Sequence, residues 1–131
     1  MKQKMLDQMA AVTAAQYLRE HARVKPILDE EARLRGQLTK LNAHVQATRS
    51  EADENHMMKA LGADLLWEGW HTRAKRELNT ELAQVTAKKL MAMDKLRKSF
   101  GRKTAIADMA KAERDLHKAA RIKALQEKLL N

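Results

Sequence analysis

Residues that break helices are nearly absent from this chain. Its 131 residues include one proline, Pro26, and four glycines at positions 36, 62, 69 and 101. Chains with so few breakers favour long helices. The strong helix formers Ala, Leu, Lys, Arg, Glu, Gln and Met dominate the sequence, and no alternating apolar and polar run predicts a strand. We therefore expect an all-α fold.

The first half of the chain carries a heptad pattern. Its apolar or small side chains recur at alternating intervals of four and three residues, at Leu34, Leu38, Leu41, Val45, Thr48 and Ala52. This spacing is typical of a coiled-coil seam. The seam extends back through Ile27 and Val24, with Glu31 as a polar interruption. Further upstream we expect a second stripe with a changed phase, formed by Met5, Met9, Val12 and Leu18.

A second narrow stripe runs through the other half of the chain. It comprises Leu61, Leu65, Leu78, Leu82, Val85, Met93, Leu96 and Phe100, with Lys89 inside it. Positions 78 to 100 of this stripe lie on one face of a helix, and Lys88, Lys95, Lys98 and Arg102 lie nearly opposite. The pattern resumes beyond Gly101 with Ile106, Met109, Leu116, Ala120, Ile122, Leu125 and Leu129. An isolated helix of this kind is marginally stable, so we expect the two helices to pair.

The pairing predicts one elongated domain over residues 1–131, an antiparallel two-helix coiled-coil hairpin. Helix 1 is expected at about 5–50, a turn at about 51–58 and helix 2 at about 59–130. We expect a kink or a helix start at Pro26, because proline lacks an amide hydrogen and crowds the preceding turn. A bend is also expected at Gly101. Helix 2 is longer, so roughly its last 25 residues would form a helical C-terminal extension.

Positive charge is concentrated in the second half. Residues 1–56 carry nine Lys/Arg and eight Asp/Glu, whereas residues 57–131 carry seventeen and nine. Within 88–103 there are seven basic residues and a single acidic one, Asp94. Such a segment indicates a partner with negative potential: an acidic protein, nucleic acid or an anionic membrane surface. A solvated outer face of the coil is the remaining interpretation.

No motif in the sequence points to catalysis. The chain has no cysteine, no HExxH motif and no glycine-rich phosphate loop. Its five histidines include no i, i+4 pair, the spacing that places two ligands on one helical face. A metal contact from Asp53, Glu54 and His56 in the predicted turn is the weaker alternative to a solvated acidic turn. We expect no enzyme activity, no cofactor and no metal.

Two tryptophans stand out in a chain with 3% aromatic residues. Trp67 and Trp70 are three residues apart on one helix face, with Arg73 and Arg76 following. Packing across the seam is one interpretation. The other is an exposed binding site, because Trp and Arg contribute strongly to interface energies.

The N-terminus has no continuous apolar region that would form a signal peptide. No apolar run approaches the roughly 18 residues that span a bilayer. The sequence therefore favours a cytoplasmic protein, and it leaves open whether the chain is a monomer or a dimer.

The chain resembles the FliJ/YscO family, the stalk proteins of flagellar and type III secretion export machinery. The resemblance rests on length, absence of cysteine, the hairpin pattern, Trp67 and Trp70 with basic residues behind them, and the stretch LRKSFGRK at 96–103. Pro26 and the scarcity of aromatics depart from the family pattern.

The resemblance implies a coiled coil like that of the rotary ATP synthase gamma subunit. Such a stalk enters a hexameric export ATPase, promotes its assembly and links it to the export gate at the membrane. It implies ring contacts for Arg97, Lys98, Arg102 and Lys103, and docking roles for Trp67 and Trp70. With the basic residues noted above, the candidate partner-binding set is Trp67, Trp70, Arg73, Arg76, Lys95, Arg97, Lys98, Arg102 and Lys103. A nucleic-acid-associated or scaffolding coiled coil is the alternative.

Overall fold

The computed structural model of the chain describes residues 1–54 and 62–131, and the described residues form two helices packed against each other. Helix α1 spans Lys2–Glu54 and helix α2 spans Ala63–Leu130, with no strand in either range. Gly62 precedes α2 with a φ of 71°, a left-handed conformation that glycine adopts without steric cost. The expected all-α fold is confirmed.

The helix limits differ from the expected ones. Helix α1 continues through residues 51–54, where the sequence predicted a turn. The rest of that turn lies outside the described residues. Helix α2 continues through Gly101 without a break.

Pro26 does not start a helix but lies inside α1. An internal proline costs about 3 kcal/mol because it removes one hydrogen bond and crowds the carbonyl of residue i−4. Val24 is buried and Ile27 half-buried on either side of it, while Pro26 itself is exposed. Packing of these apolar neighbours offsets the local penalty, and the expected helix start is wrong.

The chain divides into two compact units. Unit 1 consists of Met1–Arg23 and Ala92–Asn131, and unit 2 of Val24–Met91. Each unit therefore contains one segment of α1 and one segment of α2. Within each unit, inward-facing side chains of the two segments form the buried layer.

In unit 2 the inward row is mainly large and apolar. Leu34 is 1% exposed and Val24 is 7% exposed. The half-buried positions of the α1 segment are Ile27, Glu30, Glu31, Leu38, Leu41, Val45 and Thr48, and those of the α2 segment include Ala74, Leu78, Leu82, Val85 and Lys89. In α1 most of these positions alternate between intervals of three and four residues, which keeps them on one helix face.

In unit 1 the inward row of the α1 segment is smaller and more polar than that in unit 2. The buried residues of unit 1 are Leu6, Ser99 and Ala110. The half-buried positions of the α1 segment are Gln3, Ala10, Thr13, Ala14, Tyr17 and Glu20. The expected stripe of Met5, Met9, Val12 and Leu18 is wrong, since all four are exposed. The large apolar side chains predicted a stripe with a changed phase in this region. The buried row instead keeps its intervals of three and four residues, with small residues at several of its positions.

Two positions of the stripe expected in the second half are also exposed, and so is Met109 in its continuation beyond Gly101. Leu65 is 72% exposed, and Phe100 is 53% exposed while its neighbour Ser99 is buried. At the end of α2, every residue from Arg114 to Asn131 is exposed. The exposed end is shorter than the sequence suggested, because Lys2 reaches Glu113 at 3.6 Å and the Gln3 amide donates to the Ala110 carbonyl at 3.3 Å.

Candidate partner-binding surface and histidine cluster

The basic segment of α2 in unit 1 presents its cations to solvent. Lys95, Arg97, Lys98 and Arg102 are exposed, and Lys103 is half-buried. Helical periodicity explains the split, because the half-buried residues Met93 and Leu96 lie on the inward face. Of the candidate ring contacts, Arg97, Lys98 and Arg102 therefore have side chains that another molecule can reach.

Local contacts orient several of these side chains. Lys98 Nζ lies 3.0 Å from the Asp94 carboxylate one turn earlier. Arg97 Nε donates to the Met93 carbonyl at 3.5 Å, and Arg102 Nη2 donates to the Ser99 hydroxyl at 3.5 Å. These are exposed or long contacts that contribute little to stability. The cations therefore remain available to a partner at small cost.

Lys103 differs from its basic neighbours because it contacts an aromatic ring. Its Nζ lies 4.6 Å from the ring centroid of Tyr17, and the Tyr17 ring lies 5.8 Å from that of Phe100. A cation over an aromatic face is attracted by the ring quadrupole. This cluster joins the α1 and α2 segments of unit 1, and no pattern in the sequence predicted it.

The two tryptophans have different environments in unit 2. Trp67 is half-buried, and its ring lies 4.0 Å from that of His71 and 6.0 Å from that of His44. Trp70 is 52% exposed and touches His71 from the outer side, with centroids 5.5 Å apart. Trp67 therefore packs between the helices, while Trp70 offers an exposed aromatic surface.

Arg73 and Arg76 follow Trp70 on α2 and are exposed. Leu65 and Leu66, which precede Trp70, are 72% and 79% exposed. The structure thus places exposed aromatic, aliphatic and basic side chains along one stretch of α2. Aromatic and Arg side chains are enriched in protein interfaces.

His71 is the most buried titratable side chain of the described residues, at 5% exposure. Neither ring nitrogen has a hydrogen-bond partner among the atoms that the structure describes. Burial lowers the pKa of His71, and the neighbouring His44 and Arg49 lower it further, while Glu68 opposes them. The imidazole is therefore neutral at neutral pH.

His44 of α1 lies opposite His71 of α2, with ring centroids 6.1 Å apart. Beside the pair, Arg49 Nε lies 3.4 Å from the Glu68 carboxylate, and Lys75 lines the adjoining cleft. The i, i+4 spacing detects two histidines on one helix, so it does not detect this pair. Only the pairing of α1 with α2 brings residues 44 and 71 together.

The two polar interruptions of the seam meet in unit 2. Lys89 Nζ donates to both carboxylate oxygens of Glu31, at 3.1 and 3.3 Å. The Glu31 side chain is 12% exposed and that of Lys89 33% exposed. The sequence identified each residue as an interruption in its own helix, and the structure makes them partners.

The part of the chain that the structure describes contains no group of three or more His, Asp or Glu residues that could hold a metal ion. Neither α1 nor α2 contains a stretch long and apolar enough to cross a membrane. The weaker metal interpretation with Asp53, Glu54 and His56 lies outside the described side chains.

Comparisons with protein-family models, with curated proteins and with solved structures find no match to this chain.

Proposed function

We propose that this chain is a non-catalytic stalk and adaptor that binds and stimulates a hexameric ATPase in flagellar or type III protein export. The observation that carries the proposal is the placement of charge. Unit 1 holds 15 Lys/Arg and 7 Asp/Glu, a net charge of +8, and unit 2 holds 11 and 10, a net charge of +1. Nearly all of the excess charge is therefore in one unit.

The proposal includes an antiparallel coiled-coil hairpin with a helical C-terminal extension. The order of contacts supports it. In unit 1, Lys2 contacts Glu113 and Tyr17 contacts Phe100. In unit 2, Glu31 contacts Lys89 and Arg49 contacts Glu68. Within each unit the partner number falls as the α1 number rises, which is the order expected for antiparallel helices.

Cross-linking tests the hairpin without background, because the chain has no cysteine. Glu31→Cys/Lys89→Cys should give an intramolecular cross-link with a short bis-maleimide reagent, and the product should keep the mass of one chain. The pair Glu31→Cys/Lys40→Cys, with both residues on α1, is the control and should not give this link. Cross-linked products that contain two chains would show that the helices pair between chains, and would contradict the hairpin.

The charge of unit 1 favours an acidic partner. A net charge of +8 in one unit steers association towards a surface of opposite sign and raises the association rate. Lys95, Arg97, Lys98 and Arg102 are exposed there. An acidic inner surface of an ATPase ring has the complementary charge. The stalk is expected to act at the cytoplasmic side of a membrane export apparatus.

The exposed stretch around Trp70 supports a second contact. Trp70, Arg73 and Arg76 are exposed on α2 in unit 2. We assign this stretch to docking on the export gate, with Trp67 as the inward-facing support of Trp70. A stalk that links an ATPase to a gate needs two such surfaces.

The direct test is the rate of ATP hydrolysis by the export ATPase from the same organism. Added wild-type chain should stimulate hydrolysis in a saturable, stoichiometric manner, and the chain alone should hydrolyse no ATP. A pull-down at low salt should recover the ATPase. Recovery of nothing under these conditions would contradict the proposal.

The same exposed cations also support a nucleic-acid-binding coiled coil as a second candidate function. Lysine and arginine on one face can neutralise phosphates without reading bases. This function predicts a mobility shift of duplex DNA at about 50 mM salt that weakens steeply as salt rises. Absence of a shift at that salt concentration would eliminate the second candidate.

A further inference from the structure

The inward row of unit 2 contains a polar side chain without a partner. His71 is 5% exposed, and among the described residues neither Nδ1 nor Nε2 makes a hydrogen bond. A neutral imidazole has one donor and one acceptor nitrogen, and buried polar groups of this kind are nearly always paired. An unmatched buried group at this position calls for a water, an ion or another ligand.

A second imidazole lies beside His71. His44 lies across from His71, with ring centroids 6.1 Å apart and ring planes at 49°. With nitrogens about 2.0–2.1 Å from one shared ion, the two ring centroids are about 5 Å apart at a tetrahedral angle and about 6.5 Å apart when the nitrogens lie on opposite sides of the ion. The observed separation lies between these two values, so a shared ion would have an N–metal–N angle wider than tetrahedral.

The surroundings favour the ligating form of His71. Burial, His44 and Arg49 all lower the pKa of His71, and the neutral imidazole is the form that binds metal. Trp67 packs edge-on against the His71 ring at 4.0 Å and holds it in place. His44 is exposed, so an ion can reach the pair from solvent.

We propose that His44 and His71 bind one divalent transition-metal ion of the class that imidazole prefers, such as Zn²⁺, Cu²⁺ or Ni²⁺. The ion joins α1 to α2 through one nitrogen from each helix, and water fills its remaining coordination positions. No third His, Asp or Glu completes the site among the side chains that the structure describes. Glu68, the nearest carboxylate along α2, lies against Arg49 at 3.4 Å.

The test measures binding to the full chain without an affinity tag. Zn²⁺ is titrated at pH 7.5 in competition with a chromogenic chelator, and Cu²⁺ is followed by quenching of tryptophan emission. We expect one ion per chain. His44→Ala and His71→Gln should each lower the affinity at least about tenfold, since loss of a ligand should cost no less than loss of an outer-shell partner.

Matched variants separate this site from the other histidines. His21→Ala and His117→Ala should bind as the wild-type chain does. His56→Ala should also bind normally, and loss of binding in this variant would place the ion in the segment 55–61 instead. Cu²⁺ should quench Trp67 strongly, because its ring lies 4.0 and 6.0 Å from the two imidazoles.

One outcome overturns the proposal directly. His44 is exposed, so His44→Ala should keep the helical circular dichroism of the wild-type chain. If this folded variant binds Zn²⁺ with unchanged affinity, or if the wild-type chain binds none, the two-histidine site does not exist. Neither result bears on the stimulation of an ATPase, so the stalk proposal is judged separately.

Discussion

Unit 1 and unit 2 use the same two helices in different ways. In unit 2 the inward row is rich in leucine and valine, and Leu34 and Val24 are buried within it. In unit 1 the buried positions are Leu6, Ser99 and Ala110. Burial of apolar area stabilises a fold by roughly 25 cal/mol per Å². The larger side chains of unit 2 should therefore contribute more to stability.

Charge follows the opposite distribution. Unit 1 has a net charge of +8 and unit 2 of +1. Excess charge of one sign destabilises a compact state through self-repulsion, but it also attracts a partner of opposite sign. The comparison assigns stability mainly to unit 2 and partner attraction mainly to unit 1. Each prediction below bears on this division.

The largest effect is expected for Leu34→Ala. Leu34 is 1% exposed in a row of leucine and valine side chains, so the truncation should lower the free energy of unfolding by about 3 kcal/mol. The measurement is urea unfolding followed by circular dichroism. Leu6→Ala in unit 1 should cost less, about 2 kcal/mol, because the α1 row that contains it has smaller side chains. Leu28, which is 41% exposed, provides the control: its truncation should change stability by no more than about 0.5 kcal/mol. Equal losses of unfolding free energy for Leu6→Ala and Leu34→Ala would contradict the difference in stability between the two units.

The next effect concerns the ion pair in the row of unit 2. Glu31→Leu leaves Lys89 without its carboxylate and should destabilise the fold by about 2 kcal/mol. The double variant Glu31→Leu/Lys89→Leu should recover most of this loss, because replacing both partners removes the unpaired charge. A double-mutant cycle by urea unfolding measures the coupling. Additive costs would show that the two residues do not interact.

His71→Leu should have the opposite sign in a metal-free buffer with a chelator. The substitution replaces an unpartnered imidazole by an apolar side chain and should stabilise the fold by about 1 kcal/mol. It should also change the pH dependence. Because the folded-state pKa of His71 is lowered, the unfolded chain binds the proton more readily than the folded chain.

The wild-type chain should therefore have its full stability above pH ~6.5 and lose stability as pH falls below that value. His44 and Arg49 lower the pKa of His71 further, and Glu68 raises it. His71→Leu should flatten the profile between pH ~6.5 and 5, as measured by thermal unfolding. A variant with an unchanged profile would show that another group titrates.

The smallest stability effect is expected in unit 1. Lys103→Ala removes the ammonium 4.6 Å from the Tyr17 ring and should cost about 0.5 kcal/mol. Lys111→Ala, at an exposed position of the same unit, is the matched control and should be nearly neutral. If both substitutions have the same effect, the cation–aromatic contact contributes nothing.

The sequence predicted the parts of the fold that follow from helical period. It identified the all-α class and the row from Val24 to Thr48, because large apolar side chains mark these positions. It failed upstream, where Leu6, Ala10 and Thr13 form the inward row. Small residues give a weak periodic signal, and exposed Met5 and Met9 gave a stronger misleading one.

The features of the candidate sites also differ in whether the helical period predicts them. Exposure of the basic residues at 95–102 follows from their position opposite the apolar stripe. The contacts between Lys103 and Tyr17, and between His44 and His71, depend on which residue of α1 faces which residue of α2. That register is set by the sum of many contacts along the helices, and no single-helix pattern contains it.

The most direct test of the central claim compares two charge reversals in the ATPase stimulation assay. Lys95→Glu/Lys98→Glu/Arg102→Glu changes exposed cations of unit 1, and Lys25→Glu/Lys40→Glu/Lys88→Glu changes exposed cations of unit 2 by the same charge. Circular dichroism should show both variants folded. The unit 1 variant should require at least about tenfold more protein for half-maximal stimulation, and the unit 2 variant should match the wild-type chain within about twofold. Equal losses in the two variants, or stimulation that neither variant alters, would contradict the account.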